Sequence, residues 1–219
     1  MSLFNWSSIH TVLLDMDGTL LDLHYDSQFW LKYLPKRYAE QHGLSLEVAQ
    51  TTLFSRYKDM LGTLEWYCVD YWSNELNMDI ACLKEEVAHL IAIHPYVIEF
   101  LIFLRQNNKR IILVTNAHYK SLSLKMQRTQ LAHHFDRIVC AHDLGLPKEN
   151  IEFWEKLQKI EPFNPIHTLF IDDSLPVLRS AARYGINYLL SIYQPDSQSP
   201  PKDTEEFRAI RSFSQIIVI

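Results

Sequence analysis

Two carboxylates separated by one residue are the first feature of this sequence that could carry chemistry. Asp15 and Asp17 follow the apolar run 11–14, and Gly18 comes directly after them. A carboxylate so placed can attack phosphorus as a nucleophile and form an aspartyl-phosphate. A second carboxylate two residues later can exchange a proton with the same substrate oxygen, and Gly18 permits the tight turn that brings backbone N–H groups to a phosphate. We therefore interpret Asp15 as a candidate nucleophile and Asp17 as a candidate acid–base residue.

A second acidic pair, Asp172 and Asp173, ends another apolar run, 168–171. Adjacent carboxylates at the end of a buried strand repel each other, and burying them unpaired costs several kcal/mol. A divalent cation would remove this cost. Carboxylate oxygens suit Mg²⁺, which binds one or two carboxylates together with water and substrate phosphate. Capping of the next helix by Asp173 or Ser174 is an alternative, but it does not account for two acids in succession.

Thr115, Asn116 and Lys148 are candidate phosphate-binding residues. Thr115 and Asn116 follow the apolar run 110–114, so the Thr115 hydroxyl and the neighbouring amides could hold a phosphate oxygen at the N-terminus of a helix. Lys148 lies in a loop just before another predicted helix, where its charge could neutralise the nucleophile and the phosphate together. Simpler explanations stay open, since a Thr can be a helix N-cap and a loop Lys is usually solvated.

Charge balance links these residues. The two acidic pairs would meet a phosphate dianion in one crevice, and each close like-charge contact in a partly desolvated site costs on the order of 4 kcal/mol. Only a metal ion and Lys148 could make that cluster tolerable. The same crowding is expected to raise the pKa of Asp17, which keeps a proton available for the leaving oxygen.

The candidate residues stand at the ends of short apolar runs that have the composition of buried parallel strands. Stretches with helical periodicity separate these runs. Strands that alternate with helices predict an α/β fold with a doubly wound parallel sheet, in which ligands bind at the carboxyl ends of the strands. The predicted strands are 11–14, 110–114, 138–141, 168–171 and 188–190, and the predicted helices are 96–106, 120–131, 151–160 and 175–184.

Residues 22–93, called here the helical insert, interrupt this alternation. Their apolar residues recur at helical spacing, and a segment of this length between the first two strands is far longer than an ordinary loop. We predict a catalytic core formed by 1–21 and 94–219, with the helical insert as a separate cap. The proline-containing chain after Gln194 is expected to be a long surface loop or tail.

Composition limits the possible partners. A net charge of −5 gives no general attraction to nucleic acid or to an anionic membrane. The 3 cysteines have neither metal-finger nor redox-pair spacing, which is typical of thiols in a reducing cytoplasm. Neither a secretory signal pattern nor an apolar run long enough to span a bilayer is visible. We expect a cytoplasmic protein that acts on a small molecule, and the sequence leaves its oligomeric state open.

Four motifs in a fixed order resemble those of haloacid dehalogenase (HAD) superfamily hydrolases of subfamily I: Asp15-x-Asp17, Thr115, Lys148 and Asp172-Asp173. The resemblance covers nearly the whole chain and implies that the helical insert is a C1-type cap. It implies that Asp15 is both nucleophile and Mg²⁺ ligand. Asp17 would be the acid–base residue and would bind the metal through its backbone carbonyl, and Asp172 would be a further metal ligand supported by Asp173.

The same resemblance implies that Thr115 and Lys148 bind phosphate and that the reaction is phosphoester hydrolysis, because the dehalogenating branch lacks an acid at the position of Asp17. Glu149 departs from the superfamily pattern, in which proline often follows the lysine. Segments of the core and of the insert are also similar to the bacterial GMP/IMP nucleotidases, which implies a purine nucleoside 5′-monophosphate as substrate. These segments are 18–23, 64–72, 115–118 and 145–148.

Other interpretations use the same residues. A phosphatase for a phosphosugar or another small phosphomonoester, or a phosphomutase, would have the same catalytic set and different contacts from the cap. A phospho-aspartate signalling domain also combines an acidic pair, an acceptor Asp, a Thr and a Lys, but its acidic pair comes at the first strand and it lacks a helical insert. A binding protein without activity is not favoured, because every catalytic position is intact.

The aromatic residues Trp66, Tyr67, Tyr71 and Trp72 could stack on a purine or form the core of the insert.

Overall fold

A six-stranded parallel sheet forms the centre of the protein. The computed structural model describes residues 3–218, so Met1, Ser2 and Ile219, which belong to the predicted core segments, lie outside the described residues. The strand order is β3-β2-β1-β4-β5-β6, and every pair of neighbours is parallel. The predicted doubly wound parallel sheet is therefore confirmed. The strands are β1 (Thr11–Leu14), β2 (Arg110–Thr115), β3 (Arg137–Cys140), β4 (Thr168–Ile171), β5 (Tyr188–Ile192) and β6 (Ala209–Ile210).

Helices cover both faces of the sheet, which is why the central strands are apolar on both sides. Val12 and Leu14 of β1 face one hydrophobic cluster, and Leu13 between them faces another. The first cluster contains the apolar face of the helix formed by residues 97–106, and the second contains those of the helices formed by residues 151–160 and 175–184. The α-helices are α1 (His24–Gln28), α2 (Leu34–His42), α3 (Leu46–Met60), α4 (Val69–Leu76), α5 (Ile80–Glu86), α6 (Val97–Gln106), α7 (Tyr119–Thr129), α8 (Ala141–Leu144), α9 (Ile151–Ile160) and α10 (Leu175–Tyr184).

The helical insert has a hydrophobic core of its own. A π-helical segment, Phe29–Tyr33, joins α1 to α2, and α3, α4 and α5 complete the insert. The buried apolar side chains of this core run from Tyr25 to Val87, and all of them lie within the insert. We therefore propose that the helical insert is the predicted cap and that the rest of the chain is the catalytic core.

The two segments that connect the insert to the sheet lie side by side. Leu21 and Ile93 form an antiparallel bridge, the Asp22 N–H donates to the carbonyl of Ala92, and the His94 N–H donates to that of Leu20. This pairing brings the start and the end of the insert to one place, above the carboxyl end of β1. Within residues 3–218, no helix is long and apolar enough to cross a membrane.

The prediction of a long surface loop or tail after Gln194 agrees with the mostly exposed residues 197–208, but it was wrong for the segment 209–216 that follows. This segment returns to the sheet, where β6 pairs with β5, and it buries Ile210, Phe213 and Ile216 in the same cluster as α6. The phenyl rings of Phe100 and Phe213 lie 5.0 Å apart. A strand of two residues carries too little periodicity to be recognised from sequence, and the prolines before it are typical of loops.

Replacing Phe213 by alanine tests whether this C-terminal segment belongs to the hydrophobic core. We expect Phe213→Ala to lower the free energy of unfolding by about 3–5 kcal/mol, because a buried ring is lost and a cavity remains. Val218→Ala, at a position that is 49% exposed, is the control and should change it by less than about 0.5 kcal/mol. Equal urea midpoints for the two variants would contradict the role given to the segment.

Candidate active site

The carboxyl ends of neighbouring strands bring the predicted acids together. Asp15 follows β1 and Asp172 follows β4, and these strands are adjacent in the sheet. The backbone of both acids still belongs to the strand ladder, since the Asp15 N–H donates to the carbonyl of Ile171 at 3.0 Å and the Asp172 N–H donates to that of Leu190 at 3.2 Å. Both side chains are buried. Strand pairing therefore fixes the backbone positions from which the two carboxylate side chains extend.

Lys148 bridges these two carboxylates. Its ammonium group lies 2.5 Å from Oδ1 of Asp15 and 2.7 Å from Oδ2 of Asp172, and it also donates to the backbone carbonyl of Val114 at 3.1 Å. Burial lowers the pKa of Lys148, but the two carboxylates outweigh burial and hold it above the usual range. The lysine is 2% exposed, so it is not the solvated loop residue that was the simpler alternative.

Burial raises the pKa of Asp15 to about 6, and the charge of Asp172 adds to this rise while Lys148 opposes it. For Asp172 burial again has the largest effect, and the charge of Asp173 adds to it, so that its pKa is also about 6. These shifts have one cause, since three carboxylates share one poorly solvated place with only two lysine cations, Lys148 and Lys202, the second of which lies 3.5 Å from Oδ2 of Asp173.

The three acids fit a small divalent cation. Asp15, Asp172 and Asp173 each present an oxygen, and these oxygens lie within 4.8 Å of one another. Two oxygens bound to one Mg²⁺ stand roughly 3–4 Å apart, so small side-chain movements would suffice. Lys148 and Lys202 together balance only two of the three negative charges, which leaves a deficit that a cation would fill. The carboxylate of Asp17 is not in this group, and the predicted contact through its backbone carbonyl stays a proposal.

The side chain of Asp17 points to a different cation. Its Oδ1 accepts a hydrogen bond from Nζ of Lys125 at 2.6 Å. Burial raises the pKa of Asp17 to about 6; Lys125 lowers it, and Asp26 and Asp15 raise it. The direction predicted from charge crowding is therefore confirmed, although burial contributes more than the neighbouring carboxylates. Sequence reasoning missed Lys125 and Asp26. No spacing rule could have found the contact between Lys125 and Asp17, because the two residues are 108 positions apart.

Thr115 ends β2 beside the same edge, and Asn116 directly follows it. The Thr115 hydroxyl accepts a hydrogen bond from the N–H of Ala117 at 3.0 Å, whereas the N-cap of α7 is His118. Thr115 is therefore not the helix cap that was its alternative explanation. Asn116 accepts from the N–H of Lys148 at 2.9 Å and donates to Glu149 at 2.9 Å. Its side chain thus fixes the loop that carries Lys148, and phosphate binding by Asn116 stays a proposal.

Gly18 lies where both its conformation and its small size are needed. Its φ of +81° is in the left-handed region, and its N–H donates to the carbonyl of Leu21 at 2.8 Å to close the turn after Asp17. A Cβ at this position would lie 2.7 Å from Cγ of Asp173. The predicted tight turn is therefore also the place where the backbone meets the second acidic pair.

A cavity of about 330 Å³ lies between the helical insert and Asp17. Trp30, Trp66 and Tyr67 of the insert line it, and the Trp30 and Trp66 rings stack with centroids 6.1 Å apart. Trp72, in contrast, is 1% exposed and belongs to the core of the insert. The interpretation as core residues is therefore confirmed for Trp72, and stacking of Trp66 and Tyr67 on a purine stays a proposal.

Comparison with known proteins places this geometry in one family. The sequence matches the family described as haloacid dehalogenase-like hydrolase over residues 9–185. It is 37% identical over 212 residues to the GMP/IMP nucleotidase YrfG of Escherichia coli K12, a match that covers 97% of this chain and 96% of that protein.

Solved structures share the fold at lower identity. A HAD phosphatase from Thermococcus onnurineus superposes with a TM-score of 0.80 and 20% identity, over 95% of this chain and 96% of that chain. An L-2-haloacid dehalogenase from Xanthobacter autotrophicus superposes with a TM-score of 0.65 and 12% identity, over 95% and 96%. Because both kinds of enzyme have this fold, the reaction has to be argued from the site residues.

Gly18→Ala tests how closely the turn and the acids are coupled. We expect it to reduce kcat/KM for p-nitrophenyl phosphate about 100-fold, because the new methyl group displaces Asp173 and small misplacements in a site have effects of this order. Gly62→Ala is the matched control, since Gly62 has a φ of +80° and no atom of the described residues lies within 4 Å of the place that its methyl group would take. Equal activity of the two variants would show that the contact with Asp173 is unimportant.

Proposed function

This chain belongs to the haloacid dehalogenase-like hydrolase family, and we propose that it is a magnesium-dependent phosphatase for purine nucleoside 5′-monophosphates. The observation that carries this proposal is the position of Lys148 between Asp15 and Asp172, with Asp173 as the third acid. A nucleophile, a cation and metal-ligating oxygens then converge where a phosphate would enter.

In the proposed reaction, a carboxylate oxygen of Asp15 attacks phosphorus while the ester bond to the leaving oxygen breaks. Asp17 gives its proton to that oxygen, so the product leaves as an alcohol. Asp17 then takes a proton from water as the water oxygen attacks the aspartyl-phosphate, which releases phosphate and restores Asp15. Both steps need Asp17 within hydrogen-bond reach of the oxygen that gains or loses the proton.

The remaining residues stabilise charge. Lys148 and Thr115 would bind phosphate oxygens, with Asn116 holding the loop of Lys148 in place. Mg²⁺ would be bound by Asp15, Asp172 and the backbone carbonyl of Asp17, and by Asp173 either directly or through water. The ion would offset the negative charge of the phosphate and of the acids. Asp17 also supports phosphatase over dehalogenase chemistry, because alkyl halide hydrolysis needs no proton on its leaving group.

Two observations support a purine nucleotide as substrate. The relative that is 37% identical is a GMP/IMP nucleotidase. The indole side chains of Trp30 and Trp66 line the cavity beside Asp17, where a planar base could join their stack. Its apolar rings lie on the insert, and the phosphate chemistry lies on the sheet edge, so the two parts of a nucleotide would meet different surfaces.

A substrate panel tests this proposal. We expect kcat/KM for IMP and GMP to exceed that for AMP and for hexose phosphates at least about tenfold, the effect of a few specific contacts. Phosphate release is measured with Mg²⁺ present and again after its removal by EDTA, which should abolish it. Asp15→Asn serves as the control for contaminating phosphatases. A panel in which sugar phosphates rank with or above IMP and GMP would contradict the substrate assignment.

A further inference from the structure

Four largely buried charges lie across the junction between the core and the helical insert. Lys125 of α7 donates to Oδ1 of Asp17 and to Oδ2 of Asp26, each at 2.6 Å. Asp26 belongs to α1 of the insert, and its other oxygen accepts from Lys84 of α5 at 3.0 Å. Both lysines are almost fully buried, at 1% and 2% exposure. The order along this row is Asp17, Lys125, Asp26, Lys84, so every charge has a neighbour of opposite sign.

Aromatic rings of the helical insert contact Lys84, the last charge of this row. The ammonium group of Lys84 lies over the rings of Phe29 and Trp30, at 4.5 and 5.2 Å from their centroids. Asp26 and Lys84 therefore move with the insert, whereas Lys125 and Asp17 belong to the core. A buried charge without its partner is strongly unfavourable, so Lys125 is fully satisfied only when Asp26 is docked.

We propose that Lys125 is a positioning residue that holds the carboxyl group of Asp17 ready for proton transfer when Asp26 of the insert docks against it. This inference rests on the proposed function, because it assumes that Asp17 protonates the leaving oxygen. It adds a physical link between the position of the insert and the orientation of the acid. When the helical insert closes over a substrate, it then also fixes the orientation of the Asp17 carboxyl group.

The structure offers a matched control on the same helix. Lys120 of α7 also pairs with the insert, through Oδ1 of Asp70 at 2.6 Å. This pair is exposed, with side chains 52% and 49% accessible, and neither residue contacts Asp17. Lys120→Met therefore removes a core–insert ion pair of the same type without touching the acid.

The leaving group distinguishes positioning from a structural role. When an alkyl phosphate such as IMP reacts, the P–O bond breaks as Asp17 delivers its proton to the ester oxygen. When p-nitrophenyl phosphate reacts, nitrophenolate leaves as a stable anion and needs no proton. Since kcat/KM reports formation of the phosphoenzyme, a misplaced Asp17 lowers kcat/KM for IMP much more than for the nitrophenyl ester.

The experiment compares kcat/KM for both substrates in the wild type, Lys125→Met and Lys120→Met. We expect Lys125→Met to lose about 100-fold with IMP, at the low end of what general acid catalysis contributes, and less than about tenfold with p-nitrophenyl phosphate. Lys120→Met should stay within about threefold of the wild type on both, as expected for an exposed ion pair. Equal losses on the two substrates, or no loss, would overturn the proposal.

A second variant covers the case in which Lys125→Met does not fold. Asp26→Asn keeps the shape of the side chain and leaves Lys125 paired with Asp17, so it removes only the negative charge of Asp26, which Lys125 and Lys84 share. We expect the same selective loss on IMP, smaller in size, and an equal loss on both substrates would again overturn the link. If the wild type hydrolyses neither substrate, the proposed function is contradicted as well. If the wild type is active and the variants lose activity equally on both substrates, only this inference is contradicted.

Discussion

Repulsion between carboxylates at the end of the sheet is the constraint on which the site depends. The register pairs Leu14 of β1 with Ile171 of β4, so the residues that follow, Asp15 and Asp172, are forced to be neighbours. Parallel strands give no alternative to this arrangement, because their carboxyl ends lie at one edge. Asp173 adds a third acid within 4.8 Å. Such a cluster is stable only where cations are held in place, and a phosphate would add to the same deficit.

Lys148 offsets part of this repulsion, and residues from several elements hold its loop in place. Asn116 at the end of β2 accepts from its backbone N–H, and the side chain of Asn116 also bonds to Glu149. Tyr67 of the helical insert donates to the other oxygen of Glu149 at 2.6 Å. Glu149, the residue that departs from the usual superfamily pattern, thus connects the lysine loop to the insert. Together with the row of charges Asp17, Lys125, Asp26 and Lys84, Glu149 gives the helical insert two contacts with the active site.

The sequence alone was sufficient to predict the first five strands of the sheet and the positions of the acids, because both follow from local patterns. Each strand is a short apolar run, and each acid directly follows a strand, so periodicity and chain order are enough. The same holds for Gly18, whose turn follows from its residue type. Lys148 needed one further step, an argument from charge balance.

What could not be predicted depends on contacts between distant residues. Lys125 has the spacing of an ordinary helix residue, and only the packing of α1 and α5 against α7 makes it a buried partner of Asp17. The C-terminal segment was missed because β6 exists only through its pairing with β5. The aromatic residues were ambiguous for the same reason, since Trp66 lines the cavity and Trp72 fills the core although they are neighbours in one short segment.

Rapid-quench phosphopeptide mapping tests the central claim most directly. The enzyme is mixed with p-nitrophenyl phosphate and Mg²⁺, quenched with acid within milliseconds, digested and analysed by mass spectrometry. The account predicts a phosphoryl group on the peptide that contains Asp15, at an amount that falls as substrate is consumed, and its absence in Asp15→Asn. Phosphate attached to another residue, or steady turnover in which no peptide is ever phosphorylated, would contradict the account.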